Sequence, residues 1–130
     1  MLNVSVKTIP HRKQKYNTVG DYLINGEGDL VIRISDLKNW KMEALITIHE
    51  IIEILLVKDR KIKIKDIDNF DIKFEKNKKK GDYSEPGNNK RAPYYKEHQF
   101  STKIEKMLAK ELNVDWREYN NKLDKLSDSF

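Results

Sequence analysis

An apolar stretch with a polar pair inside it, Ala44 to Lys58 (ALITIHEIIEILLVK), constrains this chain more than any other feature. Its apolar residues recur all round a helical projection, which predicts a central helix covered on several sides. On that projection His49 and Glu53 lie one turn apart and about 40° apart around the axis, along an apolar stripe. A buried carboxylate is costly unless it is paired or bound to a metal. The pair therefore needs a partner from elsewhere in the chain.

The segments around this helix predict an α+β fold in one small domain, residues 1–130. Short N-terminal antiparallel strands are expected first, then the central motif helix and two to three further helices. The periodicity places strands at about residues 2–9 and 29–35, the motif helix at about 39–58, another helix at about 66–77, a loop at 76–93 and C-terminal helices at about 94–113 and 115–126. A short strand at Tyr22 to Ile24 is an open alternative to a loop there.

The spacing of the polar pair suits a metal ion. Side chains at i and i+4 converge over one helical turn, so His49 and Glu53 can hold one ion between them. Glu50 lies on the flank, about 100° from His49, where it can take a proton from a bound water. This is the logic of H-E-x-x-H with Glu in place of the second His. A catalytic zinc site usually adds a third protein ligand and keeps one position open.

The third ligand must be a histidine or a carboxylate, because the chain has no cysteine and only three histidines. His98 is the natural candidate, since it opens the next well-patterned helix just beyond the loop. His11 lies beside a proline in a basic segment, and we expect it to be solvated.

Two further side chains are expected near His98. Glu105 falls near the same helical face, so it can orient a ligand or act as one itself. Tyr94 and Tyr95 can hydrogen-bond near His98 or pack the loop against the core, and Tyr95 is taken as a supporting residue of the site.

The order of strand, helix with His-Glu-x-x-Glu and downstream helix with His98 resembles a small zincin-like metallopeptidase domain. That resemblance implies His49, Glu53 and His98 as ligands of a divalent metal, zinc first, and Glu50 as the general base. The chain departs from the zincin pattern at Glu53, where the family has His. An oxygen ligand weakens the preference for zinc and makes manganese or iron easier to accept.

A second resemblance covers nearly the whole chain and implies no particular biochemistry. The chain looks like a family of uncharacterised proteins from bacteriophages and prophages, which implies the cytoplasm of a bacterial host. The matching stretches are Tyr16 to Asp21, His49 to Glu53, Ala92 to His98 and Val114 to Trp116. No apolar signal core and no run of membrane-spanning length is present, so a membrane partner is not expected.

Other interpretations remain open. His49 and Glu53 can form a buried hydrogen-bonded pair without a metal, in a non-enzymatic accessory protein that binds a peptide or protein partner. A nucleic-acid partner ranks last. The formal net charge is only +5, from 26 basic and 21 acidic residues, and the lysine run at residues 76–80 lacks interleaved aromatics.

Overall fold

The computed structural model describes all 130 residues. A three-stranded sheet is followed by four helices, so the predicted α+β class is confirmed. The strands are β1 (Val4–Ile9), β2 (Gly20–Ile24) and β3 (Leu30–Ser35); the helices are α1 (Trp40–Asp59), α2 (Ile64–Lys76), α3 (Tyr95–Glu111) and α4 (Trp116–Asp128). Short 3₁₀ turns lie at His11–Lys13 and Pro86–Asn88.

The sheet is mixed, with the strand order β1-β3-β2. β2 runs antiparallel to β3, with Tyr22 opposite Ile32, whereas β1 runs parallel to β3, with Val4 opposite Leu30. The expected antiparallel pairing is therefore wrong for β1. The reason is β2, which lies between β1 and β3 in the sequence. The chain reverses direction before and after β2, so β1 and β3 run in the same direction.

The core lies between the sheet and α1. Leu30, Ile32 and Ile34 alternate along β3 and are all buried, as expected for residues that share one face of a strand. α1 packs against β2 and β3. It begins after Asn39, whose side chain accepts a hydrogen bond from the Met42 amide and so caps the first turn.

α1 and α3 form an antiparallel pair that carries the polar residues of interest. Lys41 near the start of α1 donates to the carbonyl of Leu112 just after α3, at 3.0 Å. Arg60, just after α1, pairs with Glu97 in the first turn of α3. These contacts set the register in which the motif on α1 faces the start of α3.

One side of α1 is exposed to solvent, although apolar residues around the whole helix predict that it is covered on several sides. Trp40 is 68% exposed and Leu55 is 37% exposed, while the adjacent Ile54 is fully buried. α2, α4 and the loop before α3 close over the opposite side, around a cavity described below. None of the four helices combines the length and the apolarity that a membrane span needs.

Candidate metal centre

α1 and α3 bring His49, Glu53 and His98 together in the interior. His49 Nε2 lies 3.0 Å from Glu53 Oε2 and 3.1 Å from His98 Nδ1, and His98 Nδ1 lies 3.0 Å from the same Glu53 oxygen. The three atoms form a nearly equilateral triangle, and all three residues are buried. They lie close enough to bind one metal ion.

The triangle has the dimensions that a four-coordinate ion requires. Zinc bonds of about 2.0–2.1 Å in a tetrahedron separate neighbouring ligand atoms by about 3.3–3.4 Å. The measured edges of 3.0–3.1 Å are only a few tenths of an ångström shorter. Two imidazoles and one carboxylate are also an accepted donor set for a divalent ion, with one position left for water or substrate.

Outer carboxylates fix the proton positions on both rings. Glu105 Oε1 lies 2.7 Å from His49 Nδ1, and Glu85 Oε2 lies 2.9 Å from His98 Nε2. An ionised carboxylate only accepts, so these two outer nitrogens donate, and in a neutral ring the inner nitrogen then carries a lone pair. When both rings are neutral, as they are when they bind a metal ion, three lone pairs, with that of Glu53, therefore converge on one point. In that state the three atoms cannot hydrogen-bond to one another, whereas a single metal ion satisfies all three; without a metal, protons on the rings take its place.

Two tyrosines extend this arrangement. The Tyr119 hydroxyl on α4 donates to Glu105 Oε2 at 2.6 Å, and the Tyr22 hydroxyl on β2 donates to Glu53 Oε1 at 2.8 Å. Both tyrosines are buried. Four elements, β2, α1, α3 and α4, thus hold the cluster, and the loop that carries Glu85 supplies a fifth contact.

The electrostatics of the cluster favour positive charge at its centre. Burial alone would lower the pKa of both histidines, but hydrogen bonds to Glu105 and Glu53 raise that of His49 well above its ordinary value. Hydrogen bonds to Glu53 and Glu85 likewise raise the pKa of His98 to about 9. Burial would raise the pKa of Glu53, yet its bonds to the two histidines lower it to about 2. Protons and metal ions compete for the same site.

Glu50 stands beside the cluster with no hydrogen bond to any protein group. It is 8% exposed and lines the cavity next to His49 and Glu53. Burial, and then the charge of Glu53, raise its pKa to about 8. Gly20 on β2 allows this placement, because a Cβ there would lie 2.8 Å from Glu50 Cγ.

A cavity of about 140 Å³ connects the cluster to the surface, between α1, α2, α4 and the loops at residues 15–20 and 83–87. Asp71 on α2 is among the residues that line it. The hydroxyls of Tyr16 and Tyr94 donate to the two oxygens of Asp71 at 2.7 and 2.8 Å. Burial raises the pKa of Asp71 to about 7.

Two expected positions are corrected. Tyr95 does not line the cavity but packs half-buried against the core, and its neighbour Tyr94 faces the cavity instead. Successive residues at a helix start point about 100° apart, so only one of the two can face the site. Glu105 does contact the cluster, through His49, as expected for a residue that orients a ligand.

His11 is the second correction, because it is buried rather than solvated. The 3₁₀ turn after β1 directs the ring inward over the end of β3. There its nitrogens lie 2.8 Å from Ser35 Oγ and 3.0 Å from Asn17 Oδ1. Both nitrogens are satisfied far from the metal cluster, so His11 has a structural role.

The sequence reasoning missed several contributors to the site. Glu85 lies in the loop, and Asp71, Tyr22 and Tyr119 lie on elements whose packing no local pattern predicts. One usable signal is Gly87 next to Pro86 in that loop. A Cβ at Gly87 would lie 2.4 Å from His98 Cγ, so this glycine lets the loop pack directly on the histidine.

Comparison of the chain with protein-family models, with curated proteins and with solved structures finds no match. The geometry of the His49, Glu53 and His98 cluster is therefore the ground on which chemistry can be assigned to this protein.

Proposed function

We propose that the protein is a zincin-like, metal-dependent hydrolase that cleaves peptide or amide bonds. One divalent ion, zinc in the first instance, is held by His49 Nε2, Glu53 Oε2 and His98 Nδ1. The triangle that these three atoms form, with edges of 3.0–3.1 Å, is the observation that carries the proposal. Glu53 in place of a histidine also makes manganese or iron acceptable occupants.

A divalent ion in such a site supplies Lewis-acid activation of water and of a substrate carbonyl. Glu50 takes the proton of the attacking water and passes it to the leaving amine. Its placement supports this role, since its carboxylate faces the cavity and has no other partner. The positive charge of His49 and His98 already acts to lower the pKa of Glu50, so positive charge in the cluster favours the basic, ionised form.

The outer contacts support the same assignment. Glu105 and Glu85 accept hydrogen bonds from the outer nitrogens of His49 and His98, so that the neutral, ligating rings would direct their lone pairs inward. Carboxylate contacts of this kind orient ligating histidines and raise their basicity. Tyr22 donates to the second oxygen of Glu53, Oε1, which favours binding of the ion through Oε2.

The test is a peptide-library digest followed by mass spectrometry, with zinc-loaded or manganese-loaded protein. The wild type should cleave and chelator should stop it. Glu50→Gln should retain metal but lose about 10²-fold or more of the rate. Glu75→Gln serves as a control, because Glu75 lines the same cavity but pairs with Lys78. No cleavage by the metal-loaded wild type, or undiminished cleavage by Glu50→Gln, overturns the proposal.

The second candidate is a non-enzymatic accessory protein in which the cluster is structural. It is favoured by the number of elements that the cluster ties together and by a cavity of only about 140 Å³. Here His49→Ala would lower the melting temperature while no variant changes any turnover. Metal-dependent peptide cleavage excludes this candidate.

A further inference from the structure

Asp71 forms a second polar site in the cavity that contains the metal cluster. It is 4% exposed, and one tyrosine hydroxyl reaches each of its oxygens, from Tyr16 and from Tyr94. A carboxylate oxygen has two lone-pair positions. Each oxygen of Asp71 therefore keeps one position for another donor, and no lysine or arginine of the chain fills it.

The charge of the cavity contrasts with that of the whole chain. The chain carries a formal net charge of +5, yet acidic side chains greatly outnumber lysines in the cavity lining. The acidic ones are Asp21, Glu50, Glu53, Asp68, Asp71, Glu75, Glu85, Glu105 and Asp124, and the lysines are Lys15 and Lys78. A cavity lined by one sign of charge concentrates ligands of the opposite sign.

Most of these carboxylates already have a partner. Lys15 pairs with Asp68 at 2.8 Å, Lys78 with Glu75 at 2.9 Å and Arg33 with Asp21 at 3.0 Å. Glu53, Glu85 and Glu105 belong to the metal cluster and its histidines. Asp71 and Asp124 have no cationic partner even when that cluster is filled.

Glu50 is the independent sign that a ligand enters this cavity. It is 8% exposed, faces the cavity and has no hydrogen-bond partner in the protein. A buried carboxyl without a partner is costly. The cavity lining thus offers both an unpartnered carboxyl, Glu50, and a carboxylate without a cationic partner, Asp71, which two tyrosines hold.

We propose that this cavity binds a substrate that carries a protonated primary amine and that Asp71 is the carboxylate that recognises it. The amine is the α-ammonium of a peptide or the side chain of a lysine, since both present the same three-donor cation. That this ligand is a substrate rests on the proposed function, whereas ammonium binding itself requires no turnover.

The experiment measures binding of short peptides to the zinc-treated full chain at pH 8 by calorimetry. One pair is tetra-alanine amide with a free or an acetylated N-terminus. The other is an N-acetylated tripeptide amide with a central lysine or a central norleucine. At least one free-amine peptide should bind about tenfold or more tightly than its neutral counterpart, and the stronger pair identifies the source of the amine.

Asp71→Asn should remove that preference, while Asp66→Asn, on the same helix but outside the cavity, should retain it. Equal binding within both peptide pairs overturns the proposal, whether or not the variants fold. Retention of the preference in a folded Asp71→Asn protein also overturns it. Zinc content and peptide cleavage are measured on the same samples. Failure of the proposed hydrolase activity can therefore be distinguished from failure of ammonium binding.

Discussion

A buried histidine offers a lone pair in a defined direction only when something holds its other nitrogen. In this protein Glu105 Oε1 forms a hydrogen bond with His49 Nδ1, and the Tyr119 hydroxyl donates to Glu105 Oε2 at 2.6 Å. The tyrosine lies two contacts away from the triangle of lone pairs, yet it determines where one of them points. We therefore expect Tyr119 to act as a positioning residue for the candidate metal centre.

Tyr119→Phe should weaken zinc binding by about tenfold or more, because Glu105 loses a hydrogen bond and orients His49 less firmly. A competition titration with a chromophoric chelator measures this effect. Tyr83→Phe is the matched control, since the Tyr83 hydroxyl contacts only the surface residue Asp128. Equal zinc affinity for Tyr119→Phe and wild type would show that the hydroxyl plays no part in the site.

Asp71 should leave a signature in the pH dependence of stability. Burial raises its pKa from 3.8 to about 7, so between about pH 4 and 7 the folded state keeps a proton that the unfolded state has released. Stability from this group is therefore present at low pH and is lost as the pH rises through that window. Asp71→Asn cannot titrate. Its stability relative to wild type should rise by up to about 4 kcal/mol from pH 4 to 7.

Guanidinium unfolding of both proteins in chelator, at several pH values, measures this difference. The other titrating groups are common to the two proteins and cancel in the comparison. A difference that stays flat across the window would contradict the raised pKa of Asp71.

At this scale the sequence predicts part of the site. His49 and Glu53 can be paired because one helix fixes their spacing, and His98 follows because the chain has only three histidines. Glu85, Asp71 and Tyr119 could not be predicted. Each comes from a different element, and its distance from the cluster depends on tertiary packing rather than on any local period.

Among the elements, α1 shows most clearly how two neighbouring residues of one helix can contribute different amounts to the stability of the fold. Ile54 is fully buried in the core, whereas Leu55 is 37% exposed. The apolar pattern of the sequence does not distinguish Ile54 from Leu55. Only the packing of α1 between the sheet and α3 separates them.

Ile54→Ala should destabilise the protein by about 3 kcal/mol, because it leaves a cavity in the core. Leu55→Ala, its neighbour, should cost less than about 1 kcal/mol. Denaturant unfolding of the chelator-treated proteins measures both. Similar losses for the two variants would mean that the open side of α1 is covered in solution.

The loop before α3 depends on Gly87. A Cβ at this position would lie 2.4 Å from His98 Cγ, so Gly87→Ala must displace the loop or the ring. We expect a loss of about 1–3 kcal/mol in stability and a weaker zinc site, because Glu85 moves away from His98. Gly26→Ala is the control, as no heavy atom lies within 4 Å of its Cβ position. Unchanged zinc affinity in Gly87→Ala would contradict the role of this loop.

The elements themselves largely follow the sequence, but their pairing does not. The alternation along β3 and the apolar period of α1 appear where the pattern places them. The parallel partnership of β1 and β3 was missed because β2 is short and lies in a glycine-containing polar segment that also suits a loop. Because β2 lies between β1 and β3 in the chain, its presence makes these two strands parallel rather than antiparallel. No local sequence signal predicts that.

Across the whole molecule, a basic surface encloses an acidic cavity, and His49, Glu53 and His98 line that cavity. Neither property is visible in the net charge of +5, which sums over both. The separation arises because β2, α1, α2, α3 and α4 each contribute acidic or tyrosine side chains to the same interior space. The metal binding, general-base chemistry and ammonium recognition that we propose all use that one space.

The central claim is that His49, Glu53 and His98 hold one divalent ion. Its most direct test is equilibrium dialysis of chelator-treated protein against zinc, followed by elemental analysis, for wild type and for His98→Ala with its fold checked by circular dichroism. We expect one zinc per wild-type chain and an affinity at least about 100-fold weaker in the variant. A folded wild type that retains no zinc, or a variant that retains as much as the wild type, would contradict it.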